Sequence, residues 1–193
     1  RAAPALRPRL ARASPMAASF SQAIPGAGTS SGVRLPGLRE GTPTTFARQA
    51  AFAHAFYAAD VNRPLEIWAA EEKRLVTWLT RRLGFQVHAP DLNALGFALV
   101  GGRLVAGNEK PTALLMYENA DKQRLTLQWR KNDPKASEVA FRYAVENGVG
   151  VFVWVDANCA YALSGDVDRA RLLAVANVVN AQLVAAYAQH LQR

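Results

Sequence analysis

A chain of 193 residues, half of them apolar, is long enough to bury one substantial core and too short to favour two domains. Its formal net charge of +8 lies mostly in residues 1–45, which carry six arginines and one acidic residue, Glu40, so the rest of the chain is only mildly basic and no dedicated nucleic-acid-binding surface is expected. The single cysteine, Cys159, excludes an internal disulfide and a zinc site built from several thiolates.

The first 45 residues are predicted to be a disordered or extended tail. They hold six of the ten prolines and no Lys, Asp, Trp or Tyr, so they lack the side chains that build a core. The uncharged run from Ala13 to Val33 has the length of a membrane helix, but two prolines and three glycines interrupt it, and we do not expect it to cross a membrane. A second hypothesis is that residues 1–45 come from a shifted reading frame, because their bias toward Arg, Pro, Ala, Ser and Gly is typical of GC-rich DNA read out of frame.

Residues 46–193 are predicted to form a single α+β domain. Three helices follow from apolar residues that recur every three to four positions. The first, 46–59, is Ala-rich and places Phe46, Ala50, Ala53 and Tyr57 on one face; the second, about 67–83, carries the stripe Trp68, Leu75, Leu79 and Leu83. The third, 166–192, carries the stripe Leu172, Val175, Val179, Leu183 and Tyr187.

Between the second and third helices, five to seven strands are predicted. The clearest is 124–130, in which Leu125, Leu127 and Trp129 alternate with polar residues, a pattern typical of a half-buried antiparallel strand. The other predicted strands are 85–89, 97–106 with a turn at Gly101-Gly102, 113–118, 138–144, 149–155 and 159–164. Adjacent strands flanked by an N-terminal and a C-terminal helix favour an antiparallel sheet, with the helices packed on one face.

No residue pattern predicts a catalytic, cofactor-binding or metal site. Ser30 lies in a G-x-S-x-G pattern but lacks the strand and helix that a nucleophile elbow requires. The histidines, His54, His88 and His190, are too far apart for a helical metal site; His54 is expected to be partly exposed, and His88 to lie on a strand edge. Cys159 is expected to be a buried, unreactive thiol.

Two further groups have structural explanations. Asp166 and Asp168 stand where carboxylates cap the last helix. The four tryptophans, Trp68, Trp78, Trp129 and Trp154, are predicted to lie in the core, although they could instead line an apolar ligand pocket.

The stretch from Arg63 to about Ala176 resembles the C-terminal, extracytoplasmic half of predicted transmembrane transcriptional regulators of the anti-sigma factor family of proteobacteria. The matching pieces are RPLEI (63–67), LVTWLTRRLG (75–84), APDLNALGFALVGGRLV (89–105), ALLMYEN (113–119), RLTLQWR (124–130) and FVWVDANCAYALSGDVDRARLLAVA (152–176). FARQAAFAHAFYAADV (46–61) is similar to the segment that joins the family's membrane helix to this domain.

The resemblance implies a non-enzymatic regulatory domain that faces the periplasm, in a protein held in the cytoplasmic membrane. Its partners would be a sigma factor, bound through an N-terminal region missing here, and a periplasmic signalling protein or ligand; the membrane helix is also missing here, and the chain alone reads as soluble. No nucleic-acid partner and no cofactor are expected. The alternative is a soluble small-ligand-binding or enzymatic α+β protein with a tryptophan-lined pocket.

Overall fold

The computed structural model describes residues 39–40, 45–60, 65–106, 110–132, 139–156 and 159–191. The helices are α1 (Thr45–Ala58), α2 (Glu72–Leu83) and α3 (Arg169–Leu191), with 3-10 turns at Ala69–Glu71 and Asn93–Leu95. The strands are β1 (Arg39–Glu40), β2 (Ile67–Trp68), β3 (Ala98–Val105), β4 (Thr112–Glu118), β5 (Arg124–Lys131), β6 (Val139–Glu146), β7 (Val149–Val155) and β8 (Cys159–Gly165).

One sheet contains all eight strands, in the order β1-β6-β7-β8-β5-β4-β3-β2. Strands β2 to β8 are antiparallel, which confirms the predicted α+β class, and β1 adds two residues in parallel to the edge strand β6. The short pairing of Arg39 and Glu40 places part of the predicted tail in the sheet. Residues 1–38 and 41–44, which make up the rest of that tail, lie outside the described residues.

The three helices cover opposite faces of the sheet, so the expectation that they share one face is wrong. Helices α2 and α3 pack on a face built from large side chains, among them Trp129, Phe152 and Tyr161. Helix α1 packs on the other face through small residues, including Ala47, Ala50 and Ala51. Consequently both faces of the central strands are buried, including the polar positions of the alternating strand β5.

Local sequence explains where several elements begin and end. Helix α2 has Glu72 in its first turn and Arg81 and Arg82 in its last, and it ends at Gly84, whose φ of 73° is readily adopted by glycine. Asn147 and Gly148 both have positive φ values, 50° and 83°, as the tight turn between β6 and β7 requires.

Two predicted elements differ from the structure. Residues 85–89 form no strand: Val87 is fully buried, but its N–H donates to Thr80 Oγ1 at 3.1 Å instead of to a neighbouring strand. Residues 98–105 form one continuous strand without a turn at Gly101-Gly102, because these glycines pair with β2 on one side and with β4 on the other. A side chain at Gly101 would collide with the backbone of β2.

Candidate functional site

The face of the sheet under α1 carries two buried polar contacts that join the helix to β5. His54 of α1 is 5% exposed, and its Nδ1 lies 3.1 Å from Thr126 Oγ1 on β5. One turn earlier on α1, the Ala50 carbonyl oxygen accepts a hydrogen bond of 3.0 Å from Gln128 Nε2. These two contacts join α1 to a strand more than 70 positions further along the chain.

The expectation that His54 is partly exposed is wrong, because α1 turns this residue toward the sheet. Burial lowers the pKa of His54 to about 4, although the negative charge of Asp166 opposes that shift. The imidazole is therefore neutral at pH 7. Beside Thr126 in the sheet register, Ser164 has a buried hydroxyl oxygen that forms no hydrogen bond within the described part of the chain.

Thr126 and Gln128 are the two residues of this contact that sequence reasoning missed. Both lie at the polar positions of the alternating pattern, which was interpreted as a solvent-facing side, yet they are 0% and 2% exposed. A signal existed in the chain: Thr and Gln carry no charge, and an uncharged pair on the polar side of a strand is compatible with burial under a helix.

Next to this contact, a groove of about 390 Å³ runs between α1 and the sheet. Its apolar wall is formed by Phe46, Phe52, Phe56 and Tyr57 of α1, and its floor includes Thr112 of β4 and Gln128 of β5. Phe52 and Phe56 are 73% and 61% exposed, and their rings stack with centroids 6.3 Å apart. No tryptophan lines this groove.

The tryptophans occupy other positions. Trp129 and Trp154 are buried in the core under α2 and α3, and Trp78 packs against that core from α2. Trp68 is 50% exposed in β2, which contradicts its assignment to the buried stripe of the second helix, because α2 begins only at Glu72. Two of the four tryptophans that the alternative interpretation places around a pocket therefore lie in the core.

Cys159 is buried, as expected, and lies within a hydrogen-bonded cluster under α3. Its Sγ is 3.7 Å from the hydroxyl of Tyr187, and the Tyr161 hydroxyl donates to Asp156 Oδ2 at 3.0 Å. Burial raises the pKa of the Cys159 thiol and those of both tyrosine hydroxyls above their ordinary values. These groups are therefore neutral at pH 7 and connect the C-terminal half of α3 to the sheet.

The remaining predicted residues lie apart from one another. Asp168 Oδ1 accepts a hydrogen bond of 2.9 Å from the Arg171 N–H, which confirms its capping role; Asp166 is exposed just before the helix.

His88 lies in the loop after α2, with its ring against that of Tyr187, and His190 lies near the end of α3. Ser30 is outside the described residues. Among the residues that the structure describes, no three His, Cys, Asp or Glu side chains come together as a metal site would require.

Within α3, the segment Arg169–Gln189 has the length and apolar composition of a membrane-spanning helix. Four residues of its predicted stripe, Leu172, Val175, Val179 and Leu183, are buried against the sheet, and Tyr187 packs against the same core. The core helix of a globular domain has the same length and composition, so this feature does not assign the chain to a membrane.

Comparisons of the chain with protein-family models, with curated proteins and with solved structures find no match.

Proposed function

We propose that this chain is the regulatory domain of a membrane-bound anti-sigma factor, that it lies on the periplasmic side, and that it acts by contact with other proteins and not by catalysis. The sequence resemblance between Arg63 and about Ala176 supports the family. In that family the sigma factor is held by a separate cytoplasmic region, so this domain would receive the signal that decides whether the sigma factor is released.

The observation that carries the proposal is the way α1 lies on the sheet. In chain order, α1 precedes all the strands except β1. It docks on the sheet mainly through alanines. Alanine contacts bury little area, so the hydrogen bond between His54 and Thr126 and the one that the Ala50 carbonyl oxygen accepts contribute a large share of the specificity of docking. Release of α1 would expose aliphatic side chains of the sheet, among them Val151 and Met116, so exchange between docked and released states requires a partner that offsets this cost.

Such an exchange would carry a signal along the chain. A protein or ligand that binds the docked state more tightly than the released state shifts the population toward docking, by an amount set by its difference in affinity. Because α1 is at the N-terminal side of the domain, a change in its docking would be passed toward the N-terminus, the direction in which the family's membrane helix lies.

The test is to delete the gene for this chain and measure transcript levels in the native host. We expect transcripts from one group of sigma-dependent promoters to rise, and the intact gene to restore repression. Ala50→Asp, which buries a charge under α1, should fail to restore normal signalling, whereas Ala55→Asp on the exposed side of the same helix should restore it.

Immunoblots of the two variants provide the control, because the comparison requires equal protein levels. Unchanged transcription in the deletion strain would exclude the regulatory role. Normal regulation by Ala50→Asp at normal protein level would exclude α1 docking as the step that carries the signal.

A second candidate function is that of a soluble ligand-binding protein without a sigma-factor partner. The groove beside α1 favours it, since concave apolar sites with a few polar groups are typical of small-molecule binding. The deletion experiment separates the two, because this function predicts no group of derepressed promoters.

A further inference from the structure

The groove beside α1 has one apolar side. Two basic residues outside its lining, Arg130 and Lys110, flank the end of the groove near Phe46 and Thr112, which we call the basic end. Its apolar side consists of the aromatic residues of α1, two of which are more than half exposed. Leaving two phenylalanine rings in water forgoes roughly 1.5–3 kcal/mol of burial free energy for each. An apolar molecule in the groove would cover part of both rings.

Polar side chains line the opposite part of the groove. Thr112, at the start of β4, and Gln128, on β5, lie on its floor, and Gln49 of α1 lies on its wall. The Gln128 amide nitrogen is already bonded to α1, which fixes the side chain in place. A few fixed polar groups in an apolar site orient a bound molecule.

The basic end lies where β4 begins and β5 ends. Ala113 pairs with Trp129, so Arg130 lies opposite Thr112 on the α1 side of the sheet, and its guanidinium stacks on the Phe46 ring at 4.4 Å. Lys110 is two residues before Thr112, and its Nζ lies 3.4 Å from the carbonyl oxygen of Asn132.

These two cations are not neutralised by the described part of the chain. Neither Arg130 nor Lys110 forms a salt bridge within it, and α1 contains no acidic residue. A guanidinium that stacks on an aromatic ring and has no salt bridge among the described residues, beside an apolar groove, is complementary to a carboxylate.

We infer that this groove binds a small organic anion consisting of one carboxylate on an apolar body. The apolar body lies along Phe52 and Phe56, and the carboxylate lies between Arg130 and Lys110. The volume of about 390 Å³ falls in the range of small-molecule sites. A stable protein partner would need about 800 Å² on each side, far more than a ridge of two exposed rings provides.

Binding would hold α1 on the sheet, because the groove uses residues of both. This effect on regulation rests on the proposed function, whereas the binding itself does not. Failure of the transcription experiment with successful ligand binding would reject the regulatory role alone, and the reverse result would reject the ligand alone.

Decanoate is the test ligand, titrated into the 193-residue chain by calorimetry below its micelle-forming concentration. We expect saturable binding at one site, and binding at least about tenfold weaker for decylammonium, which has the same tail and the opposite charge. Arg130→Gln should weaken decanoate binding about tenfold. Lys131→Gln, the neighbouring exposed cation on the other face of β5, should leave it unchanged.

A second variant tests the position of the tail. Ala106→Trp places a large ring at the exposed end of the groove and should abolish decanoate binding; circular dichroism checks that the fold is kept. Absence of saturable decanoate binding would overturn the inference. Equal effects of the Arg130 and Lys131 variants would also overturn it, as would decanoate binding that survives Ala106→Trp. Self-association or vesicle binding that requires Phe52 and Phe56 and is not displaced by decanoate would overturn it too.

Discussion

The face of the sheet under α2 and α3 buries aromatic side chains such as Trp129 and Phe152. The face under α1 buries alanines and aliphatic side chains such as Val151 and Met116, together with the polar residues His54, Thr126 and Gln128. Large interlocking side chains give stability that is lost as a unit, because each fills a space that no neighbour can fill. Small residues with a few polar bonds give a contact that can open without unfolding the rest. We therefore assign stability to the first face and the responsive contact to the second.

The largest effect is expected from Trp129→Ala, on the face under α2 and α3. Trp129 is fully buried, so truncation leaves a large cavity and should lower the free energy of unfolding by about 3–5 kcal/mol. Urea denaturation measures the change. Trp68→Ala provides the control, because Trp68 is half exposed and its loss should cost far less. Equal effects of both replacements would contradict the assignment of stability to that face.

Acidification should weaken the α1 face through His54. The folded-state pKa is about 4 and the ordinary value is 6.5, so between these values the unfolded chain binds a proton that the folded chain excludes. Stability falls as pH drops from 6.5 to 4 and reaches its full loss, about 3 kcal/mol, below pH 4. Urea denaturation at pH 7, 5 and 4 measures this loss.

The matched variant for that experiment is His54→Gln, which cannot take up the proton. Glu118 also contributes to acid sensitivity, since its hydrogen bonds with Lys122 and Arg124 lower its carboxyl pKa. This contribution is present in both proteins, so the difference between them isolates His54. Parallel pH profiles of wild type and variant would show that His54 does not titrate at the α1 contact.

An intermediate effect is expected from Ala50→Leu, which enlarges a fully buried residue between α1 and the sheet. Overpacking should cost about 1–3 kcal/mol and should act first on α1. Hydrogen exchange should therefore show faster exchange in α1 with little change in β4 and β5. Ala55→Leu, on the exposed side of the helix, is the control. Uniformly faster exchange throughout the domain would show that α1 does not open separately.

The smallest effect is expected from Phe52→Ser on the groove wall. With the ring 73% exposed, the free energy of unfolding should change by no more than about 0.5 kcal/mol. Val184→Ser on α3 removes a side chain of similar exposure, 60%, and should behave alike. A loss of about 2 kcal/mol or more for Phe52 alone would mean that this ring stabilises the fold and is not kept for binding.

The sequence predicted the stable face much better than the responsive one. The stripes Leu75–Leu79 and Leu172–Leu183 and the alternation of Leu125, Leu127 and Trp129 are strong periodic patterns, because large apolar residues alternate there with charged or polar ones. The strand at 124–130 and the helix at 166–192 were predicted at close to their observed bounds. The second helix was predicted to begin at about residue 67 but begins at Glu72.

On the α1 side the pattern is weak. The predicted face of α1 is largely confirmed, because Phe46, Ala50 and Ala53 are buried. Apolar residues nevertheless lie all around this helix, and the prediction placed His54 in solvent although it is buried. Thr126 and Gln128 lie at the polar positions of a period-2 pattern, and they are buried by a helix that lies more than 70 positions earlier in the chain. Val87 and Trp68 were also placed in the wrong elements. Their positions depend on tertiary contacts, with Thr80 and with β3 respectively, and not on the local hydrophobic pattern.

The sheet topology also has a consequence for synthesis on the ribosome. The N-terminal part of the domain supplies both edge strands, β1 and β2, and the helix that crosses one face between them. A ribosome makes these pieces first, before any of the strands that they cover has emerged. The central strands must pair before β1, α1 and β2 have a surface to pack on. We therefore expect the docking of these N-terminal elements on the sheet to be a late step in folding.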